Sequence, residues 1–325
     1  MSSELMKIFP VGIRERFGKT DIISEDFTEL RFRCNGPVML LRGREESFLH
    51  KQGGVCQESK HAYIISVNEI REMMEYISNF SVYAFEEELR QGFLTIPGGH
   101  RVGICGKAVL TDGKIKTIRN ISFLNIRLAR QVQGCGEGLL PYLFRGDRLY
   151  HTLIVSPPGC GKTTLLRDVI RLVSDGGTWP DRQGIVKTIR GRKVSVVDER
   201  SELAACYNGV PQNYLGSRTD VLDGCPKEKG MELMLRSMSP EVIAVDELGG
   251  EREMELIEKS IYCGCSILAT VHGEGREAWF LDAGEECRKK LLTGMFERYV
   301  FLKPGKPGCV EAVCDCTGRE VAAEW

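Results

Sequence analysis

The chain has no apolar run approaching the ~20 residues that a membrane-spanning helix needs. Its opening stretch, MSSELMKIFPVG, lacks the apolar core of a signal peptide. Net charge is nearly absent: 44 Lys and Arg against 45 Asp and Glu leave −1. So balanced a surface argues against adhesion of the whole molecule to DNA or to an anionic bilayer. Aromatic side chains are not interleaved with basic ones, as a platform for single-stranded nucleic acid would require. Internal repeats and low-complexity tracts are missing as well. The 13 cysteines are odd in number, lie in both halves, and follow no export signal, so they read as reduced thiols. These absences leave a soluble, cytoplasmic, globular chain, and its 325 residues suffice for two domains.

What is present falls into two rhythms. Residues 1–132 read as an α+β domain. ELRFRC alternates Leu30, Phe32 and Cys34 with Arg31 and Arg33, the period of a half-buried strand, and Asn35-Gly36-Pro37 turns it into VMLL as a hairpin. Ser66 and Glu69 have capping-box spacing ahead of Val67, Ile70, Met73, Met74 and Ile77, which share one helix face. Further strands are predicted across GFLTIPGGHRVGICGKAVLTDGKIKTIRNI, with Gly-rich turns at Pro97–Gly99 and Asp112-Gly113. The stretch Gln133–Gly138 (QGCGEG) is the expected hinge.

Residues 133–325 alternate short continuous apolar runs with helical stretches. TLIV, VSVV (194–197), EVIAV (241–245), SILATV (266–271) and RYVFL (298–302) are separated by helices near 162–173, 227–238, 251–262 and after Arg276. Strands without alternation, spaced by helices, predict an α/β domain with a parallel sheet covered on both faces. Ser201–Pro226 is polar, Gly-rich and long enough to read as a functional loop.

Gly-Lys-Thr occurs twice. Gly18-Lys19-Thr20 follows the charged RERF with no apolar strand before it, and reads as a turn. Gly161-Lys162-Thr163 follows a buried strand and opens the helix TTLLRDVIRLV, the context of a phosphate-binding loop. The expected cradle is Pro158, Gly159, Cys160, Gly161, Lys162, Thr163 and Thr164. Lys162 would reach the β- and γ-phosphates and Thr163 would ligate Mg2+. Ser156 stands where the usual pattern has its first glycine, at the strand exit.

Hydrolysis also needs a metal-organising acid and a means of activating water. VIAV ends in Asp246-Glu247, so Asp246 is the expected partner of Mg2+ and Glu247 a candidate base. VSVV ends in Asp198-Glu199, and Glu199 is a second candidate that residue patterns alone do not separate from the first. SILATV leads through Thr270 to His272, a candidate γ-phosphate sensor. Arg200, Arg218 and Arg252 follow these strand ends, and one of them could reach a neighbouring subunit's site.

The segments SPPGCGKTTLLRDVIR, VDERSELAACYNGVPQNYLGSRTDVLDGCPK, LRSMSPEVIAVDELGG, ILATVHG, ELRFRCNGPVMLL and GGHRVGICGKAV together resemble the stage III sporulation AA family of endospore-forming bacteria. That family is a branch of the ring-forming ATPases of type II, type IV and pilus-retraction machines. The resemblance spans nearly the whole chain. It implies a RecA-like P-loop NTPase domain using ATP and Mg2+, a smaller α+β domain before it, and a hexamer with nucleotide between subunits and between domains. It sets VVDERSE in the place of an acidic box with a catalytic glutamate, TVHG in that of a histidine box, and Arg101 and Arg119 among arginines that approach phosphates. The implied role is a cytoplasmic motor docked peripherally, through membrane proteins, on a channel linking mother cell and forespore.

Three other readings compete. A nucleic-acid motor would use the basic run KTIRGRK (187–193) on a loop, against the neutral charge of the whole. A metabolite kinase has little need of the preceding α+β domain. A nucleotide-gated scaffold would bind ATP and barely turn it over. Cys309, Cys314 and Cys316, with Cys263 and Cys265, lack the pair spacing of a zinc site and read as incidental thiols.

Overall fold

The computed structural model describes residues 3–18, 27–78, 92–180, 186–281, 294–306 and 308–323. The chain divides into two compact units, one of Met1–Arg130 with Ala205–Gln212 and one of Gln131–Ala204 with Asn213–Trp325.

The first unit is built on an antiparallel sheet. Its strands are β1 (Glu29–Arg33), β2 (Met39–Arg42), β3 (Glu45–Leu49), β4 (Val55–Cys56), β5 (Phe93–Ile96), β6 (His100–Thr111) and β7 (Lys114–Arg127), in the order β4-β3-β2-β1-β7-β6-β5. The expected hairpin pairs Leu30 with Leu40, and β1 alternates buried and half-buried residues. That alternation reflects one face on the core and one toward water. The buried face meets α1 (Ser3–Lys7), α2 (Val11–Gly18) and α3 (Val67–Ile77) in one cluster, centred on Phe9, Ile13, Phe17, Phe32, Ile70 and Met73. At the start of α3 the capping box is complete: Ser66 accepts the Glu69 amide, and Glu69 accepts the Ser66 amide. The segment Ala205–Gln212 belongs to this unit because it seats on the turn after β5. The Gly98 amide donates to Gln212 Oε1 at 2.9 Å, and Gly99, with φ +74°, lies against Ala205.

The second unit holds short strands β8 (Phe144–Arg145) and β9 (Arg148–Leu149) after helix α4 (Leu140–Leu143), and then the main sheet. That sheet contains β10 (Thr152–Ser156), β13 (Val194–Asp198), β14 (Thr219–Asp223), β15 (Val242–Val245), β16 (Ser266–His272), β17 (Arg298–Leu302) and β18 (Val310–Cys314). Its order is β14-β13-β15-β16-β10-β17-β18, parallel throughout except for the antiparallel edge strand β18. A separate hairpin pairs β11 (Gly176–Pro180) with β12 (Val186–Arg190). Every residue of β10, β13 and β15 is buried, so both faces of the sheet are covered. Helix α5 (Lys162–Asp175) follows β10; α6 (Lys227–Ser237), α7 (Glu251–Tyr262) and α8 (Arg276–Leu281) pack through Met231, Met234, Met254, Ile257 and Trp279 on one face.

Three expectations are corrected. Ser201–Pro226 is not one loop: it contains β14, an edge strand whose residues are all half-buried, and the segment that joins the other unit. The basic run at 187–193, expected on a loop, lies in β12 as far as Arg190, and only residues 191–193 are outside a strand. Gly18, expected in a turn, is the last residue of helix α2, and helices α1 and α2 lie in a stretch for which no element is predicted from sequence, although Ile13 and Phe17 have helical spacing. Lys19 and Thr20 of the decoy triplet lie outside the described residues.

Candidate active site

Ser156 ends β10 in strand conformation and is buried, so this position does not demand a glycine. Three and five residues further the demand is real: Gly159 and Gly161 have φ of +79° and +86°. Gly161 is the N-cap of α5, where backbone amides and the helix dipole point at the loop. Cys160 is buried, while Pro158 is exposed and Thr163 and Thr164 are partly so.

Lys162, the first residue of α5, is only 5% exposed. Its ammonium donates to the carbonyls of Ser156 at 3.0 Å and Pro157 at 3.2 Å, and lies 3.1 Å from His272 Nδ1. An ammonium has three donors and no acceptor. His272 Nδ1 therefore carries the lone pair, and Nε2–H donates to Glu247 Oε1 at 3.0 Å. Burial pushes the Lys162 ammonium below its ordinary range, opposed by Asp246 and Glu247.

Thr163 donates its hydroxyl to Asp246 Oδ2 at 2.7 Å, across the gap between α5 and the tip of β15. Thr270 on β16 donates to the other Asp246 oxygen and accepts the Glu247 amide at 2.8 Å. The Leu248 amide donates to the Thr270 carbonyl, also at 2.8 Å. Glu247 is held with φ +51°, an unusual conformation for a residue with a side chain. Its second carboxylate oxygen meets Arg200 at 3.0 Å. Lys162, His272, Glu247 and Arg200 thus form one continuous polar chain from the loop to the tip of β15.

Glu199 stands one strand further out. Its carboxylate pairs with Lys227 at 3.2 Å, and both line a small cleft with Asp198, Glu202, Asp246 and Glu247. Asp198 is buried and accepts the amides of Glu202, Leu203 and Ala204 at 2.8, 3.0 and 2.8 Å. Desolvation pushes its carboxyl up to about 6 in spite of those donors. Arg167 braces the same turn through the carbonyls of Leu203 and Glu202 at 2.8 and 2.6 Å.

The remaining candidates stand apart. Arg218 donates to the carbonyls of Ser174 and Asp175, at the far end of the 14-residue α5 from the loop. At 1.5 Å per residue that is about 20 Å away, so within one subunit Arg218 caps a helix C-terminus. Arg252 is exposed and faces Glu228 at 3.5 Å. In the basic run, Arg190 and Arg192 each meet Asp147 at 3.2 Å, which neutralises much of what a nucleic acid would read. Cys314 is buried in β18 and Cys316 is exposed. The residues that sequence reasoning did not single out are Lys227 and the bracing role of Thr270. Their partners lie on other strands, so no spacing signals them.

Two solved structures have a similar fold at low identity. The pilus retraction motor PilT with bound ADP matches with TM-score 0.58 and 12% identity, over 90% of this chain and 80% of that one. The ATPase DotB of Yersinia pseudotuberculosis matches with TM-score 0.54 and 13% identity, over 90% and 75%. A parallel sheet whose central strand feeds a glycine turn and helix, preceded in the chain by an α+β unit, is a RecA-like fold, the class whose architecture these two structures share. Within that class the chain belongs to the family described as Sporulation stage III, protein AA, whose model matches residues 1–321. Stage III sporulation protein AA of Bacillus subtilis (strain 168) is 40% identical over 298 residues, 90% of this chain and 88% of that protein. Among the described residues no helix is long and apolar enough to cross a membrane.

Proposed function

We propose that the chain is a Mg2+-dependent, ring-forming ATPase that works from the cytoplasm as the motor of a membrane channel between mother cell and forespore. The observation that carries the catalytic part is the Thr163–Asp246 hydrogen bond, which joins the glycine loop to an acid on a separate strand. A hydroxyl and a carboxylate are hard oxygen donors, and two such ligands suit an ion that keeps most of its waters. Thr163 and Asp246 would hold Mg2+, which would supply neutralisation of phosphate charge. The amides of Gly159–Thr164 and the Lys162 ammonium bind the triphosphate. Glu247 orients and polarises the attacking water, with His272 and Arg200 fixing its two oxygens. Glu247 is preferred over Glu199 because the polar chain from Lys162 passes through it by way of His272, whereas Glu199 pairs with Lys227 and stands outside that chain. The sporulation role, the ring and the docking on membrane proteins rest on family membership.

The test is ATP turnover by the purified chain, with and without DNA, together with its mass in the presence of nucleotide. We expect DNA-independent hydrolysis by an assembly of several subunits. Lys162→Ala should lose at least about 10²-fold in turnover, because the developing charge loses a preorganised cation. Hydrolysis that needs DNA would favour the nucleic-acid motor. Tight binding without turnover would favour a scaffold, and unchanged hydrolysis in Lys162→Ala would remove the loop from the mechanism.

A further inference from the structure

Lys227 is the first residue of α6, and Pro226 is its N-cap. A cation there opposes the helix dipole, which favours acids in the first turn. Its side chain is only 13% exposed, so the ammonium has also given up most of its water. Neither local propensity nor solvation accounts for a lysine at this position. Its contacts do: Nζ lies 3.2 Å from Glu199 Oε2 and 3.6 Å from Glu253 Oε1, and it donates to the Glu247 carbonyl at 2.9 Å.

The last contact is the informative one. Glu247 has φ +51°, and such a conformation persists only where its surroundings over-determine it. Hydrogen bonds from two sides hold the turn: Thr270 Oγ1 accepts the Glu247 amide, which Asp246 Oδ1 shares at 3.2 Å, the Thr270 carbonyl accepts the Leu248 amide, and Lys227 donates to the Glu247 carbonyl. The Thr270 bonds come from the neighbouring strand β16 and fix the peptide on one side. Lys227 is the brace on the other, and it is the one that also holds an acid of the adjacent strand β13.

We propose that Lys227 is a positioning residue for ATP hydrolysis, holding the Glu247 turn through its carbonyl while ion-pairing Glu199. The proposal rests on the ATPase reading above. It assigns Lys227 no contact with nucleotide: its action runs through the direction in which Glu247 points. Misplacement of a reacting group by about 1 Å costs on the order of 10²-fold in rate.

The test uses Lys227→Met and Lys227→Arg in the full chain. In Lys227→Met, kcat should fall about 10- to 100-fold, with KM and the affinity for a fluorescent ATP analogue changed less than about threefold. Lys227→Arg, which keeps a cation and donors, should recover most of the loss. Independently of turnover, amide hydrogen exchange should quicken at residues 247–248 in Lys227→Met and stay near wild type in Lys227→Arg, while the sheet of the first unit is unchanged. Unaltered exchange at 247–248, unaltered kcat, or loss of protection throughout the second unit would overturn the proposal. A wild-type protein that binds ATP without turnover would sink the ATPase reading and with it the catalytic part of the proposal, whereas unaltered exchange at 247–248 in a protein that hydrolyses ATP would sink the role of Lys227 alone.

Discussion

The two candidate bases make unequal predictions. Parallel strands lie about 4.8 Å apart. In the order β13-β15-β16-β10, Glu247 is therefore two strands, or about 10 Å, from the strand that feeds the loop, and Glu199 three, or about 14 Å. Glu247→Gln keeps the size of the side chain and an oxygen for Arg200, but removes the charge that polarises water. General-base removal costs about 10²- to 10⁴-fold, or roughly 3–5 kcal/mol of transition-state stabilisation. Glu199→Gln loses one ion pair to Lys227, on a side chain 39% exposed. Pairs so open to solvent are worth about 0–1 kcal/mol, so its turnover should fall no more than about fivefold. Single-turnover hydrolysis of the two variants, run beside binding of a fluorescent ATP analogue, separates chemistry from affinity. Binding should survive in both. A larger fall in Glu199→Gln than in Glu247→Gln would refute the assignment and move the base to β13.

Two further outcomes test the fold. Gly230 in α6 packs so closely on β13 that a Cβ would sit 2.4 Å from Val197 Cγ1. Gly230→Ala should therefore lower the urea midpoint: overpacking costs about 1–3 kcal/mol, against about 1 kcal/mol gained in helix propensity. A raised midpoint would show that the helix can retreat. In the first unit, His100 is buried, its Nδ1 accepts the Ala129 amide at 3.0 Å, and burial pushes it down to about 4. The folded state thus favours neutral imidazole, while the unfolded chain takes up its proton near pH 6.5. Stability from this group is full above pH 6.5 and lost as pH falls toward 4, on the order of 3 kcal/mol in all. Histidine NMR shifts followed with pH check it, and a His100 resonance titrating near 6.5 would contradict the burial argument.

The features legible in the sequence are those written in local spacing. The glycine loop, its apolar strand and the inner face of α5 lie within about two dozen consecutive residues, and the Asp246-Glu247 tip ends a continuous apolar run. The capping box of α3 is similarly local. Edge and exposed elements carry no such period. In β14 every residue is half-buried, with acids at Asp220 and Asp223, so no alternation marks it as a strand. The hairpin of β11 and β12 is joined by pairing across residues whose composition reads as a basic surface. Glu247 gives no sign of its left-handed backbone, because the cause lies in Thr270 and Lys227, about 20 residues away on either side. The choice between Glu199 and Glu247 likewise turns on partners that only the folded chain brings near.

The same partners bear on how the loop takes up its ligand. Each side chain that would meet a triphosphate already has a hydrogen bond: Lys162 to two carbonyls and an imidazole, and Thr163 to Asp246. At Lys162 binding is then an exchange, in which an ammonium's bonds to neutral acceptors give way to bonds with a charged phosphate, where both partners are ions. An uncharged group gains nothing by that exchange, and a multiply charged one gains at every donor. A Lys162 that turned to a phosphate would give up Ser156, Pro157 and His272 together, and would also free the Nδ1 lone pair of His272. The proton on Nε2, and with it the hold on Glu247, then depends on what Nδ1 meets next. The loop lysine and the proposed base are in this way linked through a single imidazole, and that link is the ground for proposing His272 beside them although its side chain is half-exposed.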